Sequence, residues 1–326
     1  MKIYCVFLLM AIVSQTLAVP NRRGTLKCLK CHKQDDLTVG QCIKNAAFET
    51  CSSNKPTCMT ELWNNNGKIV FSSECQQSRA CAEEEANEPK MNQCDKHPLN
   101  IATKCRYCCS IQEELSPGGY CRFPAWKTCV VKGDPHFFTF DDYRYDFSGS
   151  CAYTLLEDIS NGPGAVPSYK ISATNMYLGL TARVVDVNIT VEGHAVEIGT
   201  IIGDDDSSVD IRIDGISPTI NSFPYELNEG RLIIDNDEGG YMTVSAPIAG
   251  LIVFWNKKYH LEIMLDTTMV MEDRLTIGGM CGNANGNMDF QDELKTRGGS
   301  AVHDESPESI ANFASSWEVT GTCVSM

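Results

Sequence analysis

Between Cys281 and Leu294 the chain sets oxygen-bearing side chains at every second position, Asn283, Asn285, Asn287 and Asp289, around Gly286. A tight loop with that spacing can wrap several oxygens around one hard cation, and calcium is the ion such a donor set suits. Ca2+ is therefore the expected cofactor. A second reactive stretch is Gly133-Asp134-Pro135-His136. The carboxyl of Asp134, beside an Asp–Pro bond, can attack its own carbonyl, leave an anhydride and free Pro135. His136, with an ordinary pKa of about 6.5, would supply a proton switch at mildly acid pH. The same four residues also make a plain structural turn, and that is the reading adopted. Cys28-x-x-Cys31 and Cys105-x-x-Cys108 have the spacing of zinc thiolates. There is no Gly-x-Ser-x-Gly elbow, His-Glu-x-x-His helix or phosphate-binding glycine loop, and the six histidines are scattered. The residues do not point to an enzyme acting on another molecule.

The compartment decides between zinc and disulfide. Residues 1–18 carry one Lys, an apolar run from Val6 to Val13 and the small-residue end Thr16-Leu17-Ala18, which reads as a signal peptide too short to span a bilayer. The expected localisation is secreted and extracellular. Cleavage removes Cys5 and leaves 16 of the 17 cysteines, an even number in an oxidising compartment, so eight disulfides are expected in place of a metal. No later stretch is long and apolar enough to span a membrane. With 27 Lys and Arg against 42 Asp and Glu, the chain carries a formal charge of −15 and is a poor ligand for nucleic acid.

Two modules must position these groups. Residues 19–128 hold 12 cysteines and a charge of +3, whereas 129–326 hold four cysteines and −19. The first composition describes a small loop-rich scaffold whose bridges replace part of a core. In the second, Val185, Val187, Ile189 and Val191 alternate with polar residues, as do Val209, Ile211 and Ile213. The alternation predicts half-buried strands in antiparallel sheets packed face to face. Ser306–Trp317 is the one convincing helix, with Ser306 as cap, Pro307 in the first turn, and Ile310, Phe313, Ala314 and Trp317 on one face. Asn188-Ile189-Thr190 is the only glycosylation sequon, and the alternation puts Asn188 on the polar face. The acidic runs Asp204–Asp206 and Asp235–Glu238 read as solvated loops.

The run from Cys129 through Gly133-Asp134-Pro135-His136 to Phe140-Asp141, then Tyr145-Asp146-Phe147, Gly149 and Cys151, closely resembles the opening of a von Willebrand factor type D domain. Its close is similar too: Gly279-Met280-Cys281-Gly282-Asn283-Ala284-Asn285-Gly286, then Phe313-Ala314-Ser315-Ser316-Trp317 and Cys323. The resemblance covers 129–323. It implies a two-sheet β domain, the bridges Cys129–Cys281 and Cys151–Cys323, and Asp141 as a further calcium ligand beside Asn283, Asn285, Asn287 and Asp289. The loop reads a residue short of the family pattern, with Phe290 after Asp289 where a second acid stands, so Asp292 or water is expected to complete the shell. Some mucins and related domains look the same at Asp134-Pro135 and cut themselves there. The family's Cys-Gly-Leu-Cys exchange motif is replaced by Gly278-Gly279-Met280-Cys281, so disulfide-linked multimerisation through a Cys-x-x-Cys motif is not expected. Residues 25–121 resemble the three-finger fold of the urokinase-receptor family, with 12 cysteines instead of ten, Cys94 as an extra, and Arg122 after Cys121. Their connectivity is left open.

The sequence thus describes a mainly β, disulfide-rich protein: a three-finger-like module at 25–121, then a two-sheet type D domain at 129–323 with a short C-terminal helix. The expected role is that of a secreted, non-enzymatic interaction or structural protein of matrix, mucus, an egg coat or mineral. Its expected partners are extracellular proteins, glycans or a mineral surface. The alternative is a soluble receptor ligand or toxin-like protein acting through the three-finger head.

Overall fold

Strands of the second module carry apolar side chains at every other position, and the computed structural model of the protein buries them between two antiparallel sheets. The structure describes residues 26–323 except 46, 66–67, 87–103, 117–118, 124, 163–164, 179–180, 202–207 and 237–239. The signal-peptide reading of 1–18, Cys94, the Asp204–Asp206 run and part of the Asp235–Glu238 run lie outside the described residues.

The first module has a two-stranded sheet, β1 (Lys27–Lys30) with β2 (Ala47–Thr50). Beside it is a three-stranded sheet in which β3 (Thr57–Asn65) lies between β4 (Lys68–Gln76) and β5 (Cys105–Cys109). Five described bridges hold them: Cys28–Cys58, Cys31–Cys42, Cys51–Cys75, Cys81–Cys108 and Cys109–Cys121. Cys105 is disulfide-bonded as well. Both Cys-x-x-Cys pairs are therefore oxidised to partners elsewhere in the chain, as the secreted compartment requires.

The second module begins with β6 (Trp126–Lys132), β7 (His136–Phe138), β8 (Arg144–Asp146) and β9 (Ala152–Asp158). The long strands β10 (Tyr169–Leu178), β11 (Thr181–Val191) and β12 (His194–Thr200) come next, then β13 (Val209–Ile213) and β14 (Tyr225–Leu227). After β15 (Leu232–Asn236), β16 (Met242–Ala246), β17 (Leu251–Trp255) and β18 (His260–Asp266), the short β19 (Ile277–Gly278) closes the set. One sheet runs β14-β15-β16-β17-β18-β6-β7-β8 and the other β13-β12-β11-β10-β9-β19. Residues of both, among them Val131, Phe137, Leu156, Ile171, Val187, Val253 and Ile263, form one core. Alternation holds along β11 from Val187 to Val191. It breaks at Val184 and Val185, both buried, because the register with β10 shifts between Thr174 and Asn175 and the bulge turns an extra side chain inward.

The helix Pro307–Ser316 forms as its sequence dictates. The Ser306 hydroxyl accepts from the Ser309 amide, Pro307 fills the first turn, and Ile310, Phe313 and Ala314 are buried. Trp317 closes it, buried, with its indole N–H donating to the Lys295 carbonyl at 2.9 Å. The two modules touch through the segment after β18. Tyr120 donates to Glu272 at 2.5 Å, Lys44 pairs with Asp273 at 2.9 Å, and Met271 packs on the apolar cluster of the first module. Among the described residues no helix is long and apolar enough to cross a membrane.

Candidate functional site

The opening segment of the second module is stitched to its closing loop. Cys129 is bonded to Cys281, the Phe140 amide donates to the Cys281 carbonyl at 3.0 Å, and the Tyr145 hydroxyl donates to the Met280 carbonyl at 2.5 Å. Tyr145 is itself fixed by stacking on Phe137, centroids 4.9 Å apart. The second bridge, Cys151–Cys323, ties the start of β9 to the chain end.

These contacts deliver Asp141, 1% exposed, to the closing loop, where its Oδ1 accepts the Gly286 amide at 3.0 Å and pairs with the Lys127 ammonium. Its Oδ2 is buried and, among the described residues, accepts no hydrogen bond from a charged donor, and the Glu293 carboxyl, 2% exposed, lies against it with only Thr139 as a further side-chain neighbour in hydrogen-bonding reach. Burial and the charge of Asp141 push the pKa of Glu293 up to about 9. Gly282, at φ +80°, is required here: a Cβ on it would lie 2.2 Å from Glu293 Oε2. Two buried carboxyls facing each other are an arrangement that a cation or a proton must accompany.

The loop residues divide accordingly. Asn283 and Asn285 donate to Asp292 Oδ2 at 3.0 and 2.6 Å, so these three side chains form one cluster, with Lys295 also paired to Asp292. Those bonds hold the Asp292 carboxyl below its ordinary range despite its burial. Asn287 and Asp289 do not join them. The Asn287 side chain accepts the Asp289 amide at 3.1 Å, and Asp289 caps the turn Phe290–Glu293 by accepting the Gln291 amide at 2.8 Å. Every second oxygen, on Asn283, Asn285, Asn287 and Asp289, accepts a backbone amide two residues on and so serves the turn, and the carboxyl facing Asp141 is that of Glu293. Asp292 and Glu293, inside that capped turn, are adjacent acids, the first of them three residues beyond Asp289. Two sequence signals mark the missed residues. Glu293 completes the only pair of adjacent acids in the loop, and Lys127 stands at period two with Cys129 and Val131 on the inward face of β6.

Gly133-Asp134-Pro135-His136 forms the turn between β6 and β7. Asp134 Oδ1 accepts the Ala182 amide at 3.1 Å, while the His136 ring is turned to Asp146, with Nδ1 2.7 Å from Oδ1. The carboxyl and imidazole that self-cleavage would use are engaged in different directions. Incubation at pH 5.5 for days, followed by reduction and mass analysis, is expected to return an intact chain; a fragment starting at Pro135 would contradict this.

Asn188 lies in the middle of β11, half-buried on the outer face, opposite Ser172 and Glu197. On the same face Asp186, Glu197 and Asp210 gather around Gly199, with Arg212 beside them. Burial, then the charges of Glu197 and Asp210, push the pKa of Asp186 up to about 6. A raised carboxyl means that the fold favours the protonated form. The stability that this group contributes is therefore full below about pH 4 and is lost as pH rises through 6. Two units would be worth about 3 kcal/mol, and solvent screening of this partly exposed group reduces that to about 1. Asp186→Asn should raise stability at pH 7.5 by that amount and leave it unchanged at pH 3.5, read by urea unfolding at both pH values. Equal effects at the two would contradict the assignment.

Comparison with known proteins agrees with this organisation. The model of the von Willebrand factor type D domain matches residues 129–300. Mucin-6 of Mus musculus is 24% identical over 323 residues, which are 90% of this chain and 10% of that protein. The IgGFc-binding protein of Homo sapiens is 29% identical over 198 residues, 59% of this chain and 3% of that protein. Alpha-tectorin of Mus musculus is 28% identical over 238 residues, 68% and 10% respectively. The chain spans a tenth or less of the length of these relatives.

Proposed function

Because the chain belongs to the von Willebrand factor type D domain family, we propose that it is a secreted, non-enzymatic extracellular protein that works by interaction, in matrix, mucus, an egg coat or a mineral-associated layer. Its relatives are secreted extracellular proteins without enzymatic activity, which supports this reading. The observation that carries it to a mechanism is the pair of buried carboxyls, Asp141 and Glu293, facing each other.

Those donors fit calcium, a hard cation that takes carboxylate and amide oxygens. Asp141 and Glu293 would hold the ion, with Asn283, Asn285 and Asp292 adjoining. Bound there, calcium would neutralise the two carboxylates and cross-link the opening segment to the closing loop. Asp141, delivered by β6 and β7, would supply one carboxylate and Glu293, at the end of its capped turn, the other. The two-sheet module, whose formal charge is −19 with the site's own acids counted and before any ion binds, attracts cationic proteins or a mineral face. Asn188 projects from the middle of the outer face as a glycan acceptor, and the absence of a second thiol beside Cys281 leaves this module without the exchange route to linked multimers. The two- and three-stranded sheets of the first module, with their five described bridges and the further disulfide of Cys105, support a three-finger likeness and a second contact surface.

Capture from native extracellular fluid on the immobilised full chain tests the proposal. Partners should be retained in millimolar calcium and released by chelator or by 0.5 M salt, since a charge-driven contact is screened at about 10 Å or less. Retention indifferent to both would contradict it.

A further inference from the structure

We infer that Lys127 is a built-in competitor of calcium for Asp141, so that the type D module stays folded without the ion and takes it up only at about millimolar, extracellular concentrations. The inference rests on the calcium reading above. Lys127 sits on β6 two residues before Cys129, and the period-two alternation sends its side chain into the module, where it is 3% exposed and paired to Asp141 Oδ1. A buried ammonium cannot swing into water without opening the strand, and the bridge at Cys129 holds that strand to the closing loop.

The consequence is electrostatic. The site holds Asp141, Asp292 and Glu293 against Lys127 and Lys295, so the ammonium groups already balance two of its three acids. A dication entering beside Asp141 meets a fixed positive charge on the same carboxylate. It must displace the ammonium or share the acid with it, and either way it binds more weakly than in a cradle with a neutral residue at 127. With no ion present, the same ammonium is what keeps the Asp141 charge from standing alone.

Thermal unfolding and calorimetric titration of the disulfide-intact full chain with calcium chloride, comparing wild type, Lys127→Met and Lys127→Gln, test this. Without calcium both variants should melt lower than wild type. On titration both should reach half-saturation at a calcium concentration at least tenfold lower, with a larger rise in midpoint. If all three proteins bind with the same half-saturation, Lys127 does not compete and the inference fails while the calcium reading stands. If none binds up to 20 mM, the calcium reading fails and takes the inference with it. Binding by the variants alone would show that the lysine has replaced the ion outright, which contradicts the millimolar uptake inferred here and ends the calcium reading for the native chain. Lys127→Gln keeps a polar side chain at the site, so agreement between the two variants separates lost charge from lost packing.

Discussion

Asp141→Ala should destabilise the second module by about 3–5 kcal/mol even without calcium, because it leaves the buried Lys127 ammonium with no counter-ion. The effect divides into parts that can be measured. Asp141→Asn keeps an acceptor for the Gly286 amide and removes only the charge, so its cost should fall below that of Ala. The double variant Lys127→Met/Asp141→Leu replaces both charges with apolar groups of similar volume. It should recover most of the loss, since a buried ion pair is worth little against a well-packed apolar pair although half of one is costly. Urea unfolding of the four proteins gives the cycle. An Asp141→Ala loss that persists unchanged in the double variant would place the effect outside the pair.

Trp317→Ala should cost about 3–5 kcal/mol, the range for truncating a fully buried aromatic. Trp317 is 2% exposed, and its ring lies within 2.9 Å of where a Cβ on Gly278 would be and under the Arg297 guanidinium at 4.8 Å. Its truncation opens a void between the C-terminal helix and β19, two residues before Met280 and the bridge Cys281, and strips the Lys295 carbonyl of its donor. Trp317→Phe, which loses the N–H but fills much of the space, should cost less than half as much. The closing loop is held from behind by this residue, so Trp317→Ala should also weaken calcium binding although the indole is no ligand. Equal calcium titrations for wild type and Trp317→Ala would separate the helix from the site.

Much of this architecture is legible in the chain because its signals are local. Period two along β11, the Ser306 cap with Pro307, and the apolar face at Ile310, Phe313 and Ala314 each depend on neighbours a few residues away. The oxygen-rich loop is legible as a loop. Its candidate ligands are only half legible, because Asn and Asp side chains satisfy their own backbone in turns as readily as they face an ion. All four side-chain oxygens take the first course, and Asn283 and Asn285 in addition turn their amide N–H groups to Asp292. Glu293 is buried by contacts with a segment some 150 residues earlier, which no local pattern records. The Lys127 pair and the Tyr120–Glu272 contact between modules are long-range in the same sense. The bulge at Val184–Val185 was hidden by two adjacent valines, either of which fits a strand facing the core.

The most direct test of the account is a crystal structure of the full chain grown in 20 mM calcium chloride, with anomalous data collected at long wavelength. The account predicts an anomalous peak bonded to Asp141 Oδ2 and to the carboxylate of Glu293. A structure with no peak there, in which Glu293 is hydrogen-bonded directly to Asp141 as a protonated pair and Lys127 is the sole cation, would contradict it.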